Sequence, residues 1–287
     1  MRKSIFDIVA EKLDMEGDTY RMVTMADSEK TLCTSKLNHY SVFKFVDEFC
    51  FRDWKYRSRY MNVDDFLEAL EFPVLVEDAK TNVDAHLTLI ELIYNFWNLA
   101  HNMFDVKEFK GVLRWYGNFF QIKDMMDEIL EEYNHVVYTN EDKDYFIVVE
   151  NKPEVTAAAE IMPTTTLAFD VIKYNHRSLH GDIDAKKSIL VKLGSELEPK
   201  RRTLQSINRK LSEDIFFMLN NVNVRHNNCS LADSAKYKEY VANMEPEQLE
   251  AWYDELYQMM LLAFLLLDNE DRSLKVGQLK IDIAGGA

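Results

Sequence analysis

Two short clusters carry the polar chemistry of this chain. Arg225, His226 and Asn227 stand together with Asn221 and Asn228 in NNVNVRHNN, and His176, Arg177 and His180 stand about fifty residues earlier in YNHRSLHGD. His and Arg together can cleave RNA without a metal. An imidazole takes the ribose 2′-hydroxyl proton or protonates the leaving oxygen, and a guanidinium neutralises the charge growing on phosphate. Each such step is worth roughly 10²–10⁴-fold. A structural reading competes, because a guanidinium and an imidazole ringed by amides also make a hydrogen-bonded plug that fixes how helices dock. Arg225, His226 and Asn227 are the leading catalytic candidates, and His176, Arg177, His180, Asn221 and Asn228 are secondary ones.

Lys200, Arg201, Arg202, Arg209 and Lys210 form a basic stripe with no acid between them. Such a stripe suits an RNA phosphate backbone, and equally a solvated helix face. Other chemistry lacks its residues. There is no Gly-rich phosphate loop among only eight glycines, and no HExxH, CxxC or nucleophile elbow, so nucleotide-driven, zinc and serine-hydrolase activities are not expected. Neither a metal site nor a cofactor is expected. Asp64, Asp65 and Glu68 crowd a helix start, where acids suit the dipole without any metal.

Hydrophobic periodicity predicts what positions the clusters. Leu204, Ile207, Leu211, Ile215, Met218, Leu219 and Val222 recur every three or four residues, one helical ridge that delivers Arg225 and His226 at its end. Before it come a helix from Pro163 carrying Leu167, Val171 and Tyr174, and a second with Ile183, Ile189, Leu190, Leu193 and Leu197 inward. A last helix over 244–268 presents Leu249, Trp252, Tyr253, Leu256, Met259, Met260 and Ala263. In an up-down bundle the first and third helices run parallel, which would bring both clusters to one end. Leu261, Leu262 and the run from Phe264 to Leu267 cover all sides of the last helix, so its outer face needs a partner: a second copy, or the N-terminal domain.

The N-terminal half reads as helical with one β element. Ile5, Ile8, Val9 and Leu13 make an amphipathic opening before a Glu16-Gly17-Asp18 turn, and aromatics are dense from 31 to 70. Arg52, Lys55, Arg57 and Arg59 lie among those aromatics, a pattern that can contact RNA but more often packs a core. A strong helix over 86–104 and another ending at Tyr133 precede HVVYT, a polar NEDKD loop and YFIVVE, which read as a β-hairpin. The expected class is mainly α: an N-terminal helical accessory domain (1–106), a helix plus β-hairpin module (107–152), a helical bundle (153–276) and a tail (277–287).

Acids outnumber bases by 49 to 34, a net charge of −15, which argues against general DNA binding. A DNA regulator using the helix and hairpin is disfavoured for the same reason: Asp124, Asp127, Glu128, Glu131 and Glu132 face a single Lys123. No apolar run approaches the roughly 20 residues of a membrane span, and acids interrupt the first residues where a signal peptide needs an apolar core. Cys33, Cys50 and Cys229 are far apart and read as reduced thiols, so a soluble cytoplasmic protein without membrane contact is expected.

From Thr164 to Asp271 the order YNHRSLHGD, KKSILVKLGSELEP, DIFFMLNNVNVRHNN and LEAWYDELYQMMLLAFLLLD resembles the C-terminal helical domain of bacterial abortive-infection proteins of the HEPN superfamily. The resemblance implies an all-α bundle, often dimeric, acting in phage defence or as a toxin, commonly as a metal-independent endoribonuclease, with an antitoxin or sensor as partner. That family's signature is an Arg followed by a His after four to six residues. Here Arg225 and His226 are adjacent, and two residues separate Arg177 from His180, so Arg225, His226 and Asn227 match in composition and place but not in spacing. Some members are non-catalytic. Two functions follow: a HEPN-like ribonuclease led by Arg225 and His226, or a helical interaction or regulatory protein in which the same cluster is structural.

Overall fold

A computed structural model describes residues 14–34, 38–107, 109–110, 113–115 and 117–285, with backbone alone for Cys33, Thr34, Leu113, Trp115 and Asp233. The opening expected from Ile5, Ile8, Val9 and Leu13 lies outside the described residues. The protein is mainly α-helical with a small β-hairpin, and it divides into two compact units, Met1–Asn151 and Lys152–Ala287.

In the first unit, α1 (Met15–Ala26) begins where Asp14 accepts the amide of Gly17 at 2.9 Å. The Glu16-Gly17-Asp18 segment is therefore not a turn; it is the first turn of a helix, where acids suit the dipole. Strands β1 (Leu32–Thr34) and β2 (His39–Tyr40) pair antiparallel, and α2 (Val42–Phe49) follows, capped by Ser41 with Val42, Phe45 and Val46 buried. After α3 (Val63–Ala69) and α4 (Phe72–Asp78) comes α5 (Val83–Asn102), the apolar axis of the unit. Then β3 (Leu113–Trp115) joins β1 on its other edge. This three-stranded sheet was not expected, because strands of two or three residues are too short for alternation to show.

Helix α6 (Gly117–Glu132) leads into the hairpin of β4 (His135–Thr139) and β5 (Phe146–Glu150), in register from His135 against Glu150 to Thr139 against Phe146. Helix and hairpin share one core with α2 and α5, through Phe45, Phe96, Ile122 and Val148. The open edge of β5 is closed by α5 side chains. Asn95 accepts the Phe146 amide at 2.9 Å and donates to its carbonyl at 2.8 Å, while Glu91 accepts the Val148 amide at 2.8 Å. Two polar side chains thus replace a third strand and block edge pairing.

The second unit comprises α7 (Pro153–Glu160), α8 (Thr165–Lys173), α9 (Ile183–Leu197), α10 (Arg201–Ile207), α11 (Arg209–Asn221), α12 (Glu239–Ala242) and α13 (Pro246–Gly285). The ridge from Leu204 to Val222 is not one helix. Asn208 has extended backbone and accepts the Leu211 amide at 3.0 Å, starting α11 anew, because an Asn side chain competes for the backbone better at a cap than inside a helix. Nor does the last helix end near 268. It runs to Gly285 through the segment expected as a tail, supported by the 2.5 Å Arg272–Asp268 pair and the 2.8 Å Gln278–Asp282 bond four residues apart. Helix α13 touches α7, α9, α10 and α11, so it organises this unit. Among the described residues no helix is long and apolar enough to cross a membrane.

Candidate functional site

The chain turns sharply after α11. Asn223 takes a left-handed conformation at φ 53°, and the Arg225 amide donates back to the Leu219 carbonyl at 2.9 Å, satisfying a helix-end acceptor. This turn sends the Arg225 side chain back along the bundle to α9. Its Nη2 donates to the Gly194 carbonyl at 2.8 Å, its Nη1 pairs with Glu198, and its guanidinium lies 5.5 Å from the centre of the Phe216 ring. A cation at the C-terminal end of α9 also gains from the helix dipole. Arg201 shares these partners, 4.3 Å from the Phe216 ring and 3.9 Å from Glu198. Two guanidiniums thus bracket one ring and one carboxylate.

Asn228 is completely buried and holds the following loop. It accepts the Asn223 amide at 2.8 Å and donates to the carbonyls of Lys236 at 2.6 Å and Asn220 at 3.3 Å. Its own backbone carbonyl accepts the Lys238 amide at 2.8 Å. Asn221 donates to the Phe217 carbonyl one turn back at 2.8 Å. Asn227 is exposed, and the half-buried His226 imidazole makes no hydrogen bond or ion pair among the described residues. Of the five candidates around this turn, Arg225, Asn221 and Asn228 are engaged by the fold itself.

The earlier cluster sits elsewhere. His176 is buried and accepts the Ser178 amide at 3.2 Å through Nδ1, which is also 2.7 Å from the Ser178 hydroxyl, so it caps the short turn Arg177–Leu179. The carbonyl acceptor of Arg225 lies twelve residues beyond Asp182, the cap of α9, about 18 Å along the helix axis. His180, exposed just before that cap, and the Arg225 guanidinium therefore occupy opposite ends of α9. The Arg225 guanidinium does not converge with the earlier cluster, because its side chain reaches across to a neighbouring helix instead of continuing its own ridge.

Of the basic stripe, Arg201 belongs to the Arg225 cluster, Lys200 lies 6.0 Å from the Phe264 ring and Arg209 pairs with Glu213 at 2.7 Å. Arg202 and Lys210 are exposed. In the first unit, Lys55 pairs with Asp142 at 2.7 Å and ties its loop to the hairpin turn, and Arg57 donates to the carbonyls of Arg52 and Tyr60 at 2.8 and 2.7 Å and braces its own loop.

The densest polar cluster of the second unit centres on Lys186, whose side chain is only 4% exposed and lies 2.7 Å from both Glu250 and Asp254. Tyr174 donates to Asp254 at 3.0 Å and stacks on Tyr257 with centroids 4.0 Å apart. Tyr257 accepts from Asn175 at 3.0 Å and donates to the Val171 carbonyl at 2.7 Å. Burial, then Asp254, pushes the Tyr174 phenol far up, and burial does the same for Tyr257. Burial also pushes the Glu250 carboxyl up, but the Lys186 ammonium and the Gly181 amide outweigh it and hold its pKa below the ordinary value. Every strong donor and acceptor has a partner, so the cluster fastens α8, α9 and α13 together. Its signal was present in the sequence: a lysine at 186 in register with Ile183, Leu190 and Leu193, and two acids four residues apart on another helix.

A hydrophobic groove of about 370 Å³ opens beside α11 and α13, walled by Phe217, Tyr240 and Trp252 over Met218, Val241 and Met244. Periodicity placed Trp252 on the buried face of the last helix, yet it is 46% exposed. Among the described residues no group of three or more His, Cys, Asp or Glu side chains is placed to hold a metal. No protein-family model matches the chain, and neither does any curated protein or solved structure.

Proposed function

We propose that this chain is a non-catalytic helical interaction protein, in which the Arg225 cluster locks the second unit and exposed apolar surface binds another protein. The observation that carries this reading is the engagement of Arg225. Its guanidinium serves Gly194, Glu198 and the Phe216 face at once, so a phosphate would have to compete with Glu198 for it. Charge-assisted pairs of this kind exchange only at a cost. Purified Arg225→Ala and His226→Ala variants test it. Arg225→Ala should lower the melting temperature, His226→Ala should leave it unchanged, and neither these nor the parent protein should cut a labelled RNA in chelator-treated buffer. Metal-free cleavage by the parent protein, lost in His226→Ala without loss of fold, would overturn the reading.

A second reading follows from the HEPN resemblance: an abortive-infection ribonuclease held in check by an antitoxin or sensor. One observation favours it. The His226 imidazole has no partner among the described residues and adjoins the exposed Asn227, leaving a proton-transfer group available. The cleavage assay above decides between the two.

A further inference from the structure

Helix α13 outruns the bundle it organises. Its last buried residue is Leu267, and from Asp271 to Gly285 its side chains are exposed. About four turns of helix therefore stand alone, a length that is marginal in water without tertiary contacts. Val276, Leu279 and Ile283 line one face of this extension at intervals of three and four residues, all of them exposed. At the other end of the same helix, the groove presents Phe217, Tyr240 and Trp252 at 62%, 78% and 46% exposure. Aromatic walls over an apolar floor are where binding energy concentrates.

We propose, resting on the interaction reading above, that the Val276–Leu279–Ile283 stripe of one copy docks in the Phe217–Tyr240–Trp252 groove of a second copy, and reciprocally, with the two α13 helices antiparallel. A chain cannot fill its own groove, because 27 residues of continuous helix, about 40 Å, separate Trp252 from Leu279. Pairing Trp252 with Leu279 places a two-fold axis near Leu265 and Leu266. Those 27 residues are about 7.5 turns of a straight helix, so the two helices must supercoil left-handedly. The supercoil brings Trp252, Leu262, Leu266, Val276 and Ile283 to the a and d positions of one heptad frame, with Leu279 flanking them, and one operation then fills both grooves. At that axis Leu262 is exposed and Leu265 and Leu266 are half-buried, so the apolar seam continues from one groove to the other.

Charge selects the same direction. The extension carries Arg272, Lys275 and Lys280 against Asp271 and Asp282, and the opening turns of α13 carry Glu247, Glu250, Asp254 and Glu255 with no base among them. Antiparallel pairing sets these opposite signs side by side, whereas parallel pairing would set Lys275 against Lys275. Lys238 at the rim of the groove likewise meets Asp282 beside Ile283.

Sedimentation equilibrium of the full chain, with cross-linking, tests the proposal. The parent protein should have the mass of a dimer. A Leu279→Asp, Ile283→Asp double variant and a Trp252→Ala variant should each lose dimer mass while the bundle keeps its cooperative melt, since the replaced residues are exposed in the single chain, and at most the helical signal of the unsupported extension should fall. A Leu279→Cys variant mixed with a Tyr240→Cys variant should form a bismaleimide cross-link that neither forms alone, beyond the background of the native cysteines. A parent protein that stays monomeric overturns the proposal, and so does a dimer whose mass survives both sets of substitutions. Cross-linking of Leu279→Cys to itself overturns the antiparallel arrangement. None of these outcomes alters the RNA-cleavage result, so failure here is distinct from failure of the interaction reading.

Discussion

Gly194 and Arg225 form a fitted pair: the guanidinium donates to the Gly194 carbonyl at 2.8 Å, and a methyl group on Gly194 would stand 3.3 Å from the same nitrogen. That methyl would also stand 2.9 and 3.1 Å from the two terminal carbons of Leu219, which is fully buried and has little room to move. In an unconstrained helix, Gly→Ala stabilises by about 1 kcal/mol. Here the sign should reverse, and Gly194→Ala should melt below the parent in a circular dichroism scan. A higher melting temperature would contradict the seat described for Arg225. Arg225→Lys should also melt below the parent, because an ammonium lacks the planar fork whose two nitrogens separately reach the Gly194 carbonyl and Glu198.

Removing Lys186 should be costly. Lys186→Met leaves Glu250 and Asp254 without their shared cation, and because Asp254 is half exposed and screened by water the loss should fall short of the about 3–5 kcal/mol of a fully buried pair broken from one side. Adding Glu250→Gln and Asp254→Asn should recover much of it, since the carboxylates then need no cation. Urea denaturation of the single and triple variants measures both, and equal midpoints for the two would refute this account. The sign of the acid dependence also follows. Because the Glu250 pKa is held below its ordinary value of 4.5, its contribution is full above that value and is lost as pH falls through the depressed pKa.

His86 should make the first unit acid-sensitive. Its ring is buried with Nδ1 3.1 Å from the Ala79 carbonyl and 3.0 Å from the Thr19 hydroxyl, while Nε2 is buried with no hydrogen-bond partner. Donation from Nδ1 leaves Nε2 unprotonated, and a proton added there would find no acceptor. Burial lowers the pKa below 6.5, outweighing the Ala79 carbonyl and Asp18. With the folded pKa below the unfolded one, the unfolded chain binds the proton more readily, so stability is full above about 6.5 and falls as pH drops toward the folded pKa. Three of the four tryptophans lie in the first unit, so fluorescence in a Trp252→Phe background follows its unfolding. His86→Asn should flatten the slope between pH about 7 and 5; an unchanged slope would place the sensitivity elsewhere.

Asn228→Ala should release the loop that follows α11. The substitution orphans the Asn223 amide and two carbonyls, each loss costing about 1–3 kcal/mol when the group stays buried. Hydrogen exchange should accelerate most at the Asn223 amide, which loses its side-chain acceptor, then at the Lys238 amide, whose acceptor is the backbone carbonyl of the loosened residue 228, and much less within α9. Uniform acceleration across the second unit would mean that the loop and the bundle open together.

Local pattern was enough to identify the long elements. Leu89, Ile93, Phe96 and Ala100 announce α5, the alternation of apolar runs around NEDKD announces the hairpin, and both arise from interactions a few residues apart along the chain. The same pattern singled out the stretch ending in Arg225 and His226 as unusual. It could not say which helix the guanidinium would reach. That depended on Asn208 breaking the ridge, Asn223 turning the chain, and Gly194 leaving room on a helix some thirty residues earlier.

The sequence by itself determined a mainly helical chain with one hairpin, an acidic balance, and a short roll of residues able to do chemistry, because composition and periodicity are local properties. Only the tertiary structure decided that Arg225 sits with Arg201 and Glu198 instead of with His180, that Lys186 is enclosed by two carboxylates, and that Trp252 faces solvent. Those outcomes depend on which side chains meet when separate helices pack, and side-chain reach across a helix interface has no signature along a single strand of sequence.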